Sequence, residues 1–293
     1  IAGEEGSQYS FDIIAAKREV LAIKSIEDPK RENMRKYAYD LKKLSISLDI
    51  IPLMICKENI YDDILVTYDG IPSLSPEMLE KIMRGEGPPF VYVSKGGVYV
   101  KVKGDAIREQ RLRKGMSLGD LSLRIGVTRR MVYEYESGRS DVTFEVAGKL
   151  VQVLGEEILE KMSIESIRDH FMRCMGKEKV TESRRIEDPM LQQVHLKLIE
   201  MGFLSSSVEK APFQIAAKRK SEGMQTKLII RKSKNAEDSE ESLTLQVAKL
   251  CKSYALLLKG EFVEVVGERT FEVSTPDNLD KYLREESLHA TEP

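Results

Sequence analysis

The sequence lacks long apolar runs, a secretory signal and a cysteine framework. Apolar residues make up 41% of its 293 residues, yet no run approaches the roughly 20 residues that a membrane helix needs. Nothing in the sequence has the pattern of a secretory signal. The cysteines Cys56, Cys174 and Cys251 lie too far apart for a disulfide framework or a zinc site. These absences predict a protein without a membrane partner in a reducing, cytoplasmic setting.

The sequence also lacks a large excess of one charge and the common catalytic motifs. Its 46 Lys and Arg against 48 Asp and Glu give a net charge of −2. That balance argues against a protein that coats nucleic acid, and it leaves room for a local basic surface. There is no GxxxxGK[ST] phosphate loop, no GxSxG nucleophile motif and no HExxH zinc motif. We therefore expect no cofactor and no metal.

What the sequence does contain is an internal repeat, which a chain of this length has room for. Four segments of a first copy match four of a second in the same order: FDIIAAKR (11–18) with FQIAAKR (213–219), VLAIKS (20–25) with LIIRKS (228–233), DLKKLSISL (40–48) with QVAKLCKSY (246–254), and SPEMLEKIM (75–83) with TPDNLDKYL (275–283). Ser75 and Thr275 are both suited to cap a helix, because each precedes a Pro at the first helical position. The shared order indicates a duplication.

Each copy has the pattern of a small α/β layer. In the first copy we predict strands at 11–16, 19–24, 51–56 and 64–67 and helices at 32–48 and 76–84. A further helix at 189–203 precedes the second copy, with Gly202 at its end. Between the copies, alternating residues around Lys95-Gly96-Gly97 predict a β-hairpin formed by 90–93 and 98–102.

The residues after this hairpin have the pattern of short capped helices. Ile107 and Leu112 belong to a first helix that ends at Gly115. Ser117 caps a second, with Asp120 three residues later, and Thr128 caps a third. Beyond Gly138, a further amphipathic helix has its apolar face at Phe144, Ala147, Leu150 and Leu154.

This central pattern resembles the helix-turn-helix of Cro and lambda-repressor-like regulators over about fifty residues. Three spaced groups carry the resemblance: Arg108, Arg111, Gly115 and Ser117; Leu121, Gly126, Val127 and Thr128; and Val132, Tyr135, Glu136, Gly138 and Arg139. Leu118 departs from it, standing where that family often has a Gln that contacts the DNA backbone. The resemblance implies double-stranded DNA as the partner and a recognition helix at about 128–137 that enters the major groove.

Six residues are the predicted DNA contacts. Arg can pair bidentately with guanine, and Thr or Tyr can contact a thymine methyl or a phosphate. Ser117 and Arg139, at the ends of their helices, are predicted to contact phosphates. The predicted set is Ser117, Thr128, Arg129, Arg130, Tyr133 and Arg139.

The flanking copies distantly resemble PD-(D/E)xK nucleases, including archaeal junction resolvases. In those enzymes an Asp and a Glu hold magnesium, and a Lys near the Glu helps to activate water. Asp12 matches the Asp and Lys24 the Lys, but Ala22 stands where the second carboxylate is required. In the second copy Gln214, Ile230 and Lys232 occupy the three positions. One carboxylate makes a poor site for a hard cation, so we expect no catalysis by either copy.

The order of these parts resembles an archaeal family of helix-turn-helix transcriptional regulatory proteins, on the central motif together with FDIIAAK, GIPSLSPEMLEKI and GGVYVKVKGDAIREQR. We expect a multidomain fold, α/β plus all-α, in which two small nuclease-like α/β domains flank a lambda-repressor-like helix-turn-helix domain. The expected parts are a nuclease-like domain at 1–86, a hairpin connector at 87–104, the helix-turn-helix domain at 105–162, a helix and linker at 163–188, and a second nuclease-like domain at 189–293.

The combined prediction is a non-enzymatic, sequence-specific transcriptional regulator that acts as a homodimer, with flanking domains that serve dimerisation or regulation. Two alternatives remain open at this stage. One is a structure-selective DNA-processing nuclease, and the other is an adaptor whose central helices bind protein. The sequence identifies no small-molecule effector.

Overall fold

The computed structural model describes residues 9–27, 34–56, 63–176, 186–221, 224–233, 239–259, 262–267, 270–273, 279 and 283. These residues form a mixed α/β structure of two compact units. Unit 1 takes its described residues from 1–25, 29–54 and 178–293, and unit 2 takes them from 26–28 and 55–177.

The helices and strands follow one another along the chain as follows: β1 (Ile13–Ala16), β2 (Val20–Ile26), α1 (Met34–Leu48), β3 (Ile50–Cys56), β4 (Ile64–Tyr68), β5 (Ile71–Leu74), α2 (Pro76–Met83), β6 (Val91–Ser94), β7 (Gly97–Val100), α3 (Gly104–Arg113), α4 (Leu118–Ile125), α5 (Arg129–Glu136), β8 (Val142–Thr143), α6 (Phe144–Leu154), a short 3₁₀ helix (Glu156–Ile158), α7 (Ile164–Met175), α8 (Pro189–Glu200), β9 (Leu204–Ser207), β10 (Ile215–Ser221), β11 (Met224–Lys232), α9 (Ser239–Cys251), β12 (Tyr254–Lys259), β13 (Phe262–Val266) and β14 (Thr270–Val273).

Unit 1 contains a six-stranded sheet in the order β14-β13-β12-β11-β10-β9. β11 and β12 are parallel, and α9 makes the connection between them. Parallel strands are usually covered on both faces of the sheet. The sequence of β12 is accordingly a continuous apolar run, and Ala255 to Leu258 are all buried. Val194 and Leu198 of α8 pack into the same core. The helix predicted at 189–203 is confirmed as α8, and Gly202 follows it in a left-handed conformation with φ 81°.

The two copies of the repeat pack reciprocally within unit 1. Helix α1 of the first copy lies against β9 and β10, and helix α9 of the second copy lies against β1. The buried carboxylate of Asp40 accepts hydrogen bonds from the backbone N–H of Glu209 (3.1 Å) and Lys210 (2.6 Å). Lys43 donates to the carbonyl of Ser207 at 2.6 Å. Buried polar groups on α1 are therefore satisfied by the backbone of the other copy.

Unit 2 contains strands in the order β5-β4-β6-β7-β8 and the helices α2 to α7. The predicted hairpin is confirmed as β6 and β7, with Val91 opposite Val100. Lys95 and Gly96 make its turn, and Gly96 and Gly97, the first residue of β7, have φ values of 100° and 145°, a region that favours glycine. α7 accounts for the helix expected within 163–188.

The helix at 76–84 is confirmed as α2, with the Ser75 hydroxyl accepting from the N–H of Met78. Strand β5 was not predicted. The helix predicted at 275–283 lies outside the described residues except for Leu279 and Leu283, which are both buried. Among the described helices, none combines the length and apolar composition that a membrane crossing requires.

Candidate nucleic-acid interface

The first predicted contact, Ser117, caps α4 and orients its N-terminus. Its hydroxyl accepts from the N–H of Asp120 at 3.1 Å, and its own N–H donates to the Asp120 carboxylate at 2.8 Å. Hydrogen bonds from the Ser117 hydroxyl and from the Ser117 N–H to the Asp120 carboxylate lower the pKa of Asp120. The exposed Ser117 hydroxyl can exchange the Asp120 carboxylate for a phosphate placed at the helix N-terminus.

The turn between α4 and α5 depends on Gly126 and Thr128. Gly126 ends α4 in a left-handed conformation with φ 74°. Thr128 begins α5, with its hydroxyl accepting from the N–H of Met131 at 3.2 Å. Val132 and Tyr135 then face inward and are buried. The caps that the sequence predicts at Ser117 and Thr128 are therefore confirmed.

Helix α5 turns its predicted contacts outward. Thr128, Arg129, Arg130 and Tyr133 are all exposed, and Tyr133 keeps 49% of its surface accessible. The Arg130 side chain is 87% exposed and lies 3.9 Å from the Glu134 carboxylate. An ion pair that is this exposed to water holds the guanidinium weakly. Arg130 can therefore leave Glu134 and contact the edge of a base.

Arg129 and Arg139 lie at opposite ends of this face. The Arg129 side chain passes close to Gly119 on α4, where an added Cβ would lie 3.7 Å from Arg129 Cδ. Arg139 follows α5, and its guanidinium lies 5.7 Å from the centre of the Tyr133 ring. Including Ser117, all six predicted contacts are exposed. They remain predictions as DNA contacts, and the geometry leaves each of them accessible.

A buried ion pair that the sequence did not predict fixes α5 to α3. Arg111 Nε donates to Glu136 Oε1 at 2.5 Å, and Arg111 Nη2 donates to Oε2 at 3.0 Å. Arg111 Nη1 also donates to the carbonyl of Met116 at 2.8 Å. Both side chains are at most 8% exposed, and the bond to Glu136 raises the pKa of Arg111. Arg111 lies in the motif, but composition gives no sign that its charge is buried.

One apolar residue is placed otherwise than predicted. Phe144 was expected on the buried face of α6, but it is 60% exposed, whereas Ala147, Leu150 and Leu154 are buried. Phe144 is the first residue of α6, directly after the cap Thr143. Its position in the first turn lies beyond the part of the helix that covers the core.

The positions of the nuclease resemblance in the first copy are occupied by a closed ion pair. Lys24 Nζ donates to Asp12 Oδ1 at 2.7 Å and to the carbonyl of Tyr9 at 2.9 Å. The other oxygen of Asp12 accepts from the N–H of Ser25 at 2.8 Å. Ala22 is fully buried. The Asp12 carboxylate is engaged on both oxygens, and Ala22 supplies no second carboxylate for a metal.

In the second copy the alignment of Lys24 with Lys232 is wrong by one residue. The N–H of Asp12 donates to the carbonyl of Ile23, and that of Gln214 donates to the carbonyl of Ile230. Lys24 therefore corresponds to Arg231. Arg231, like Lys24, is buried, and it donates to the carbonyl of Pro212, shortly before β10. Lys232 points elsewhere and pairs with Asp188. Within the described residues, no group of three or more His, Cys, Asp and Glu side chains could hold a metal.

Comparisons with known protein families match two segments of the chain. Residues 107–161 match the family described as helix-turn-helix, and residues 2–89 match the family described as PD-(D/E)XK superfamily domain. No solved structure matches the chain.

Several archaeal proteins are similar over longer stretches. A protein of Sulfolobus acidocaldarius named "Putative HTH-type transcriptional regulatory protein" is 29% identical over 283 residues, which are 95% of this chain and 91% of that protein. A protein of Saccharolobus islandicus with the same type of name is 32% identical over 61% of this chain and 56% of its own length. One from Saccharolobus solfataricus is 32% identical over 56% of this chain and 52% of its own length. The chain thus contains a helix-turn-helix domain and a PD-(D/E)XK superfamily domain, and it is a relative of these archaeal proteins named as HTH-type transcriptional regulators.

Proposed function

We propose that the protein is a sequence-specific transcriptional regulator that reads double-stranded DNA with α5 in the major groove. The observation that carries the proposal is the outward face of α5. It presents Thr128, Arg129, Arg130 and Tyr133 on a helix whose opposite face is locked into the core. Arg side chains on such a helix suit guanine, and Tyr or Thr suits a thymine methyl or a phosphate.

Contacts at both ends of this face complete the proposed interface. Ser117 and Arg139 flank α5 and supply a hydroxyl and a guanidinium for phosphates, which set the register of the helix on the duplex. One helix-turn-helix reads only a few base pairs. We therefore propose that two copies of the chain bind together on a two-fold site.

The nuclease-like parts serve regulation or dimerisation in this proposal and do not cleave DNA. The Asp12–Lys24 ion pair and the buried Ala22 support a scaffold without catalysis. We further propose that residues 189–293 form the second nuclease-like domain. Its support is the reciprocal packing of α1 on β10 and of α9 on β1, which relates matching elements of the two copies.

One specific observation favours a second candidate function, a structure-selective DNA-processing enzyme. Residues 2–89 match the PD-(D/E)XK superfamily, and members of that superfamily include nucleases. Incubation with branched and linear DNA in Mg²⁺ or Mn²⁺ separates the two candidates. Cleavage that Asp12→Ala abolishes would support the enzyme, and binding without cleavage supports the regulator.

The experiment that tests the proposed function is selection of bound fragments from sheared genomic DNA and from random duplexes. A regulator of this kind enriches one short consensus, and a dimer enriches two inverted half-sites about one helical turn apart. Enrichment of no sequence over the input would overturn the proposal.

A further inference from the structure

The segment that follows α5 is held at a fixed place by an ion and hydrogen-bond cluster, two members of which, Tyr92 and Arg173, lie outside residues 107–161. Asp141 lies two residues beyond Arg139. Its Oδ2 accepts a hydrogen bond from the Tyr92 hydroxyl at 2.6 Å. Tyr92 is on β6 and is 7% exposed. A buried tyrosine hydroxyl needs a partner, and here that partner is the carboxylate next to the recognition helix.

The backbone adds a second tie to the same hairpin. Val142 and Thr143, which form β8, pair with Val100 and Tyr99 of β7. Tyr99 lies directly opposite Tyr92, and their rings stack with centres 5.7 Å apart. The segment after Arg139 is therefore attached to the hairpin by a side chain and by backbone pairing together.

Helix α7 supports this arrangement from another side. Arg173 Nη1 lies 3.6 Å from Asp141 Oδ2. One turn earlier, the ring of His170 lies against that of Tyr92, with centres 4.3 Å apart, and His170 is 5% exposed. A buried ring packed on Tyr92 restricts the tyrosine to the rotamer that reaches Asp141.

Arg139 is thus held from both directions along the chain. On its N-terminal side, Gly138 adopts φ 66° and the N–H of Arg139 donates to the carbonyl of Glu134 at 3.0 Å, a helix-ending motif. On its C-terminal side, only Ser140 separates it from Asp141. The backbone of Arg139 is therefore fixed on both sides, and its guanidinium lies beside the Tyr133 ring.

We propose that Tyr92, Asp141 and Arg173 form a brace that positions Arg139 for a phosphate contact at the edge of the α5 interface. The inference rests on the proposed function, because it needs DNA to be bound by α5. It goes beyond that function in assigning a DNA-binding role to β6 and α7. Both lie outside residues 107–161, the part that matches the helix-turn-helix family. The three are positioning residues, since they act through Arg139.

The brace reduces the ordering that DNA binding would otherwise require. A loop that is free before binding loses conformational entropy when its arginine contacts a phosphate, whereas a braced loop has already lost it. Loss of the Tyr92 hydroxyl should therefore weaken DNA binding about three- to ten-fold, the range expected for one weakened charge-assisted contact.

A double-mutant cycle tests the brace. Tyr92→Phe removes the hydroxyl and keeps the ring, and Tyr99→Phe is the matched control on the same hairpin. Each is combined with Arg139→Ala, and DNA affinity is measured against salt for the selected consensus. Tyr92→Phe should weaken binding and lower the salt slope by about one in the wild-type background, and it should change little when Arg139 is absent. Asp141→Ala, which removes the acceptor of the Tyr92 hydroxyl, provides a second variant should Tyr92→Phe fold poorly.

The outcomes separate the brace from a general effect on folding and from the proposed function. Equal weakening in both backgrounds, or no weakening by either Tyr92→Phe or Asp141→Ala, overturns the brace while DNA reading by α5 stands. A wild-type protein that binds no duplex overturns the proposed function, and the brace with it. Amide hydrogen exchange gives an independent readout, because Tyr92→Phe should speed exchange at Val142 and Thr143 and leave α5 protected.

Discussion

Arg111 and Glu136 join α3 and α5, the first and third helices of the helix-turn-helix domain, through two parallel hydrogen bonds and are almost fully buried. The pair spans 25 residues of sequence, so it fixes the end of α5 to an element that does not contact DNA in the proposed complex. A planar guanidinium opposite a carboxylate restricts rotation as well as distance. The orientation of α5 therefore depends on this contact.

Removal of one partner should destabilise the domain strongly. Glu136→Ala leaves the buried guanidinium of Arg111 unpaired, and such losses cost about 3–5 kcal/mol of unfolding free energy. Glu109→Ala, which breaks the exposed pair with Arg113 (2.7 Å), is the control and should cost at most about 0.5 kcal/mol. Urea unfolding followed by circular dichroism measures both. Similar midpoints for the two variants would contradict a structural role for the buried pair.

Loss of the Asp40 carboxylate, which links the two copies, should also destabilise the protein. Its carboxylate accepts from the N–H of Glu209 and Lys210 and lies 3.3 Å from the Ser10 hydroxyl. Asp40→Ala leaves these donors unsatisfied, so unfolding should become easier by about 2–3 kcal/mol. Glu200→Ala, at the exposed C-terminal end of α8, is the control. An unchanged melting temperature for Asp40→Ala would show that the contact between the copies contributes nothing to stability.

Stability should depend on pH through His170. Burial, with the nearby Lys101 charge, lowers its pKa from 6.5 to about 4. Between these values the unfolded chain binds a proton that the native protein does not, so the free energy of unfolding falls as the pH is lowered from 6.5 to 4. The part of this decrease in unfolding free energy that is due to His170 is on the order of 3 kcal/mol at pH 4, and His170 causes no decrease above pH 6.5.

His170→Phe isolates this contribution from the carboxylates that titrate in the same range. The ring lies among Phe90 and Tyr92, which accept an aromatic replacement. The unfolding free energy of wild type minus that of the variant should decrease steadily from pH 6.5 to 4. A difference that is constant over this window would show that His170 titrates normally.

The nuclease-like region should bind no catalytic metal and should respond to mutation only in stability. Asp12→Asn weakens the partner of Lys24, which is 7% exposed in its side chain, and should lower the melting temperature by several degrees. Cleavage of branched or linear DNA in Mg²⁺ should be absent from both proteins. Metal-dependent cleavage by the wild type that Asp12→Asn removes would replace this interpretation with an enzymatic one.

Local signals in the sequence predicted most of the helix-turn-helix domain. The caps at Ser117 and Thr128 and the turn at Gly126 involve only residues that are close in sequence. They could therefore be recognised without knowledge of the fold. The burial of Arg111 could not, because its partner is 25 residues away and charged residues are usually exposed. The Asp141–Tyr92 contact escaped prediction for the same reason, since it joins positions 49 residues apart.

The alignment of the two copies shows a different limit. Matching Lys24 with Lys232 follows the shared Lys-Ser letters, but strand pairing is set by hydrogen bonds. The β10–β11 ladder runs from Ile215 to Ser221, longer than the β1–β2 ladder. A shift of one residue in a strand exchanges its faces, and this is why Lys232 points to Asp188 while Arg231 is buried.

In the proposed complex α5 reads DNA through its two adjacent arginines, and a binding titration of arginine variants tests this. The double variant Arg129→Ala with Arg130→Ala is compared with Arg108→Ala with Arg113→Ala, which removes two exposed charges from α3. Affinity for the selected consensus and for a scrambled duplex is measured at one low salt concentration. At about 1–3 kcal/mol for each lost base contact, the α5 variant should lose at least ten-fold in affinity and most of its preference for the consensus, while the α3 variant keeps that preference. An α5 variant that binds the consensus as tightly and as selectively as the wild type would show that these arginines do not read DNA and would favour a protein-binding role for these helices.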